Sequence, residues 1–147
     1  MLDIKKTAEE LNQMLHDTIM KGSIIVPINK HTFKYKNYLI VRDQSGGWSV
    51  CKLGSYKMHI ASTFLKVTAF AICIAHANGR LKTVEELISE DAVFERNYND
   101  SMFFQNTYKV SKDYEKKDTA LWRYEIVHSK ARFAKQKIDR IFYSSIA

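Results

Sequence analysis

An α+β fold, mostly helical, is the architecture this sequence predicts, and three observations carry the prediction. Between residues 23 and 60, β-branched and aromatic residues alternate with polar ones around a Gly-Gly pair. Residues 62–78 are apolar on nearly every side, and the last thirty residues repeat apolar positions at alternating steps of four and three. A chain of 147 residues can bury roughly two thirds of its unfolded surface in one core, and a single proline and five glycines leave little material for a linker. One domain, 1–147, is therefore expected.

The first element is an N-terminal helix. Thr7 and Glu10 have the form of a capping box, Ile4, Ala8, Leu11, Leu15 and Ile19 recur at helical spacing, and Gly22 supplies a stop. A small antiparallel β-meander follows. Its strands are expected at Ser23 to Ile28, interrupted by Pro27, at Thr32 to Arg42, at Trp48 to Leu53, and at Tyr56 to Ile60. Gln44-Ser45-Gly46-Gly47 joins the second and third as a tight hairpin, because its glycines adopt positive φ without steric cost.

The meander needs a cover for one face. An apolar core helix starting at Ser62 or Thr63 and ending at Asn78-Gly79 supplies it. With Lys66 and His76 inside, this helix falls short of the roughly 20 apolar residues a bilayer requires. Thr83 with Glu86 again has capping-box form and opens an acidic helix whose apolar face is Val84, Leu87, Ile88, Val93 and Phe94. Its polar side is Glu85, Glu86, Glu90, Asp91 and Glu95. Asn97 to Ser101 is expected to interrupt it, since Asn, Asp and Ser side chains compete for backbone hydrogen bonds. An aromatic segment through Phe103, Phe104 and Tyr108 comes next.

The long C-terminal helix is basic and amphipathic. Ala120, Tyr124, Val127, Ala131, Ala134, Ile138 and Ile141 form a continuous seam flanked by Arg123, Lys130, Lys135 and Lys137. The acidic and basic helices are electrostatic complements, and antiparallel packing would meet much of the basic charge within the molecule. The same seam also fits a second copy or another protein, with Tyr124, Val127, Ala131, Ala134, Ile138 and Ile141 as the interface.

Readable chemistry is sparse. Cys73 and His76 share a helix face, but two ligands do not make a zinc site, and core packing is the expected role. His59 could approach Cys51 across neighbouring strands, whereas His16, His31 and His128 are scattered. Glu85 and Glu86 point in different directions, which is poor geometry for an acid and base pair. The sequence has no P-loop, dinucleotide fingerprint or nucleophile elbow. No enzymatic activity, cofactor or metal is expected.

The formal net charge of +7 favours acidic partners. The hairpin alternation places Lys34, Lys36, Tyr38 and Arg42 together on the face opposite Phe33 and Tyr35, where Lys52 and Trp48 could join them. Cations beside aromatic rings suit single-stranded nucleic acid, although a solvated lysine-rich sheet face produces the same pattern. The aromatic residues Phe103, Phe104, Tyr108, Tyr114, Trp122, Phe142 and Tyr143 exceed what a small helical core needs and suit a protein interface. In composition the chain is similar to proteins of tailed phages and AT-rich bacteria. The expected function is a non-enzymatic structural or interaction protein, a component of a larger assembly such as a phage particle. Its partners are a protein or a second copy; nucleic acid is the alternative, and no membrane is expected. The opening residues lack a signal-peptide pattern, so a cytoplasmic location, or a virion for a phage-encoded chain, is expected.

Overall fold

The structure, a computed structural model, describes residues 25–146. The helix expected over Ile4 to Ile19, with His16, lies outside the described residues. The rest is a mostly helical α+β fold: five strands, β1 (Val26–Asn29), β2 (Thr32–Tyr35), β3 (Tyr38–Arg42), β4 (Trp48–Lys52) and β5 (Met58–Thr63), then three helices, α1 (Lys66–Ala77), α2 (Leu81–Val110) and α3 (Tyr114–Ile146). The strands form one antiparallel sheet in sequence order. Pro27 sits on the edge strand β1, where its missing N–H is tolerated.

The segment expected as one strand from Thr32 to Arg42 is two. Lys36 and Asn37 form a two-residue turn with Lys36 at φ 50°, and Tyr35 pairs with Tyr38. A two-residue turn shifts the side-chain parity by one, so Phe33, Tyr35, Tyr38 and Ile40 all face the core and all are buried. The Gly46-Gly47 hairpin forms as expected. Asp43 accepts the backbone N–H groups of Ser45 and Gly47, each at 3.0 Å, and Gly46 has φ 92°. A Cβ on Gly47 would lie 2.6 Å from the Thr63 carbonyl oxygen, so the close approach of β5 requires glycine.

Helix α1 covers the sheet. Val67 through Ala75 are all buried, and Phe70 packs edge-on against Phe33 with ring centroids 5.0 Å apart. It ends in a Schellman motif: Gly79, at φ 71°, donates to His76, and the Arg80 N–H donates to the Ala75 carbonyl at 2.9 Å. Its start differs from expectation. Thr63 is still strand, and the helix N-cap, Leu65, has no side chain able to cap. The residues just before the helix are instead anchored by α2. The buried Asp91 carboxylate takes the Phe64 N–H at 2.7 Å, the Leu65 N–H at 3.1 Å and the Thr68 hydroxyl at 2.7 Å. Asp91 therefore does not belong to a solvated acidic face; it faces inward with Val84, Leu87 and Phe94.

Helix α2 runs through Asn97 to Ser101 without a break. Both side chains turn inward and bond back to their own helix, Asn97 to the Val93 carbonyl and Ser101 to the Tyr98 carbonyl, each at 2.7 Å. This satisfies the groups that were expected to disrupt it. The helix also starts earlier than Thr83, with Arg80 as N-cap, so Glu86 is free of a capping box. Glu86 and Glu90 instead hold Lys137 of α3 at 3.0 and 3.1 Å, which is the expected pairing of the acidic and basic helices.

One apolar cluster runs from the sheet through α1 to the lower halves of α2 and α3, taking in Leu87, Phe94, Ala131, Ile138 and Phe142. Beyond Phe94 and Ala131 the helices continue as an antiparallel hairpin. The twelve residues from 99 to 110 alone add about 18 Å at 1.5 Å per residue. Arg123 over Phe104 and Lys117 over Tyr108 bridge the two helices of this arm.

Candidate functional site

The terminal seam is used inside the molecule. Tyr124, Ala131, Ala134 and Ile138 are buried, and Val127 and Ile141 are partly buried along the same side of α3. Small Ala131 and Ala134 permit the close approach to α2. The four buried residues therefore offer no surface to a partner in the folded chain. The seam expected as an interface packs within the chain, since the heptad pattern specifies a helix contact without saying whose helix makes it.

A second apolar stripe lies on the other side of α3. At 100° per residue, Trp122, Ile126 and Phe133 fall within about 40° of each other around the axis, roughly opposite the seam. Trp122 and Phe133 are 62 and 63% exposed, and Ile126 is exposed as well. The α2 side of the arm adds Met102, Phe103 and Val110, all exposed. Of the aromatic surplus, Phe103, Tyr114 and Trp122 face solvent, while Phe142 is core and Phe104, Tyr108 and Tyr143 are half-buried.

The basic residues do not share one sheet face. Lys34 heads an outward row that continues across the strands through Leu39, Cys51 and His59. Lys36 sits in the β2–β3 turn. Tyr38 is on the inner face, buried, its hydroxyl 2.7 Å from Nδ1 of His76, so it presents no ring to a base. Arg42 and Lys52 occupy opposite ends of the β3–β4 ladder, paired with Trp48 and Tyr38. The expected cluster of Lys34, Lys36, Tyr38, Arg42 and Lys52 is thus dispersed by the parity shift of the β2–β3 turn.

Arg42 nevertheless joins a different group. Where the β1–β2 turn, the β3–β4 hairpin and the start of α1 meet, Lys30, His31, Arg42 and Lys66 surround a cleft of about 430 Å³. Phe64, Trp48 and Tyr98 supply its aromatic walls. The Lys66 ammonium lies 5.3 Å from the Phe33 ring centre and 5.7 Å from that of Trp48. Burial, and then the neighbouring Arg42 charge, push the Lys66 pKa down. Among the described residues no carboxylate lines the cleft. Sequence reasoning missed Lys66 because it was read only as an exception within an apolar helix. The signal was its place at the first turn, directly after Phe64 and beside the hairpin.

The Cys73 thiol is fully buried and burial pushes it up to about 12, which leaves it protonated and unsuited to nucleophilic chemistry. Cys51 and His59 are cross-strand partners, but His59 is hydrogen-bonded to Ser62 at 3.2 Å. Among the described residues no three His, Cys, Asp or Glu side chains are grouped to hold a metal ion, and no helix is long and apolar enough to cross a membrane.

His128 lies in the arm, stacked on Tyr124 at 5.4 Å, buried, with neither ring nitrogen hydrogen-bonded. Burial, and then Arg132, hold its pKa below the usual value. The native state therefore resists protonation there. Stability from this group is fully present above about pH 6.5 and is lost as pH falls through the depressed native value. His128→Leu removes two unsatisfied nitrogens, so it is expected to stabilise the fold by about 1 kcal/mol at neutral pH. Urea unfolding at pH 7.5 and 5.5 checks this: the variant should lose less stability on acidification than the parent, and comparison with the parent cancels the similar contribution of His76.

The chain matches no protein-family model, no curated protein and no solved structure.

Proposed function

We propose that the chain is a non-enzymatic interaction protein that works within a larger assembly, and that its helical arm pairs with the arm of a second copy. The observation that carries this is the exposed stripe of Trp122, Ile126 and Phe133 opposite a seam already satisfied within the molecule. An isologous contact places the same patch on both copies. With two α3 helices antiparallel, Trp122 of one copy meets the Phe133 end of the other. Glu125 and Arg132 lie on the same flank of the stripe, so each can reach its opposite across the pair. Arg123, on the other flank, is already turned to Phe104.

Light scattering after size exclusion tests the proposal. The parent is expected to run as a dimer of the 17.1 kDa chain. The double variant Trp122→Lys, Phe133→Lys should run as a monomer with unchanged far-UV circular dichroism. A parent that stays monomeric at high concentration overturns the pairing.

A second reading, an accessory protein for nucleic acid, is favoured by a separate observation. Residues 25–66 carry seven Lys or Arg and one acid, Asp43, so this part of the molecule is strongly basic, while Lys137 on α3 is met by Glu86 and Glu90.

A further inference from the structure

We infer that the cleft at the end of the sheet binds a phosphorylated nucleoside, with the phosphate held by Lys30, Arg42 and Lys66 and the base laid against Phe64 and Tyr98. The inference rests on the second reading above and gives it a site. It is independent of the arm.

Four features converge on this ligand. The first is charge: Lys30, Arg42, Lys66 and His31 surround the cleft, and among the described residues no carboxylate lines it and Lys30, Arg42 and Lys66 have no ion pair. Asp43 lies in the neighbouring hairpin and not in the cleft lining, with its Oδ1 accepting from Ser45 and Gly47. Asp91 is bound to the N–H groups of Phe64 and Leu65. The second is Lys66 itself. Its ammonium is half-buried on two rings with no counter-ion among the described residues, an arrangement that costs solvation and that an incoming anion would offset.

The third feature is the pair of half-buried rings. Phe64 and Tyr98 line the cleft with ring centres 5.6 Å apart and are only partly buried, whereas Trp48 is buried. Rings of this kind stack bases without regard to sequence. The fourth is size, since about 430 Å³ is in the range of small-molecule sites and suits one nucleotide. A simple anion would leave the aromatic wall unused.

The source of the nucleotide is either a free mononucleotide or a unit of a single strand, and the test separates them. With Trp122→Phe, Trp48 is the sole tryptophan, and its emission reports on the cleft. Thymidine 5′-monophosphate and inorganic phosphate are titrated against this signal, and a short labelled oligothymidine is followed by anisotropy, at low and high salt. The expected result is saturable binding of the strand that weakens about tenfold or more in Arg42→Gln and in Lys66→Met. The control Lys34→Gln, Lys52→Gln, which lies outside the cleft, should weaken it less than about threefold. Arg42 is exposed, so its variant reads binding without disturbing the core.

Saturation by the mononucleotide as well assigns a free nucleotide; saturation by the strand alone assigns nucleic acid, and both support the cleft. Strand binding that falls equally in the control and the cleft variants leaves the nucleic-acid reading standing and overturns the cleft. Phosphate binding as tightly as the nucleotide also overturns it, because the rings would then contribute nothing. No binding by any of the three probes overturns both the cleft and the reading it rests on.

Discussion

Asp91→Ala is expected to cost about 3 kcal/mol of folding stability, measured by urea unfolding at pH 7. The carboxylate crosses from α2 to accept the N–H groups of Phe64 and Leu65, the two residues just before α1, and it also accepts the Thr68 hydroxyl in the first turn. The N-cap, Leu65, adds no side-chain acceptor of its own at this junction. Removal leaves three donors without this acceptor, two of them buried, and each buried donor left unpaired costs about 1–3 kcal/mol, part of which a water entering the space would recover. Burial pushes the Asp91 carboxyl up, so the charge is held against a desolvation penalty by these three donors. Asp91→Asn keeps one acceptor oxygen but sets an amide N–H₂ against a backbone N–H, and about half the loss is expected. The docking of α2 on the α1–β5 junction is thus specified by one polar group within an apolar contact. A loss no larger than that of an ordinary surface substitution would contradict this role.

Ile138→Ala is expected to cost about 3 kcal/mol and to leave the oligomeric mass unchanged. Ile138 is fully buried in the cluster that joins α3 to the rest of the core, so truncation opens a cavity as well as losing transfer free energy. The result separates two uses of the terminal seam. If the seam held two copies together, the same substitution would reduce the mass and its effect on unfolding would depend on concentration. For a domain whose total stability is about 5–15 kcal/mol, either effect is readily measured.

Much of the fold is legible in the sequence because its signals are local. The Gly46-Gly47 hairpin, the all-round apolar helix and the seam of α3 each state their own structure. The pairing of Lys137 with Glu86 and Glu90 was also foreseeable from charge. The misreadings have specific causes. The turn at Lys36-Asn37 contains no glycine, and Lys36 adopts positive φ; the available clue was the spacing of three between Tyr35 and Tyr38 in a run of twos. Missing it put Tyr38 on the wrong side of the sheet and assembled a basic face that the register disperses.

Asn97 and Ser101 were read from their loop preferences, whereas their position on the inward side lets them bond back to α2. Asp91 carried a clearer signal, an acid at the same helical face as Val84, Leu87 and Phe94. The cleft was not legible at all. Lys30, Arg42, Lys66 and Tyr98 come from four separate elements or turns, and only the register and the docking of α2 bring them together. The solvent-facing stripe of α3 was present in the spacing of Trp122, Ile126 and Phe133, but the stronger seam on the opposite side concealed it.

The pairing of two α3 helices through that stripe is tested most directly by crosslinking at its centre. Ser129 lies beside Ile126 on the stripe side, near the axis about which two antiparallel helices would be related, while Cys51 and Cys73 are buried. Ser129→Cys treated with a short bis-maleimide is expected to yield a covalent dimer rapidly. Lys82→Cys, exposed at the far end of α2, should yield none at the same concentration. Equal crosslinking at both positions, or none at Ser129→Cys, would contradict the proposed pairing.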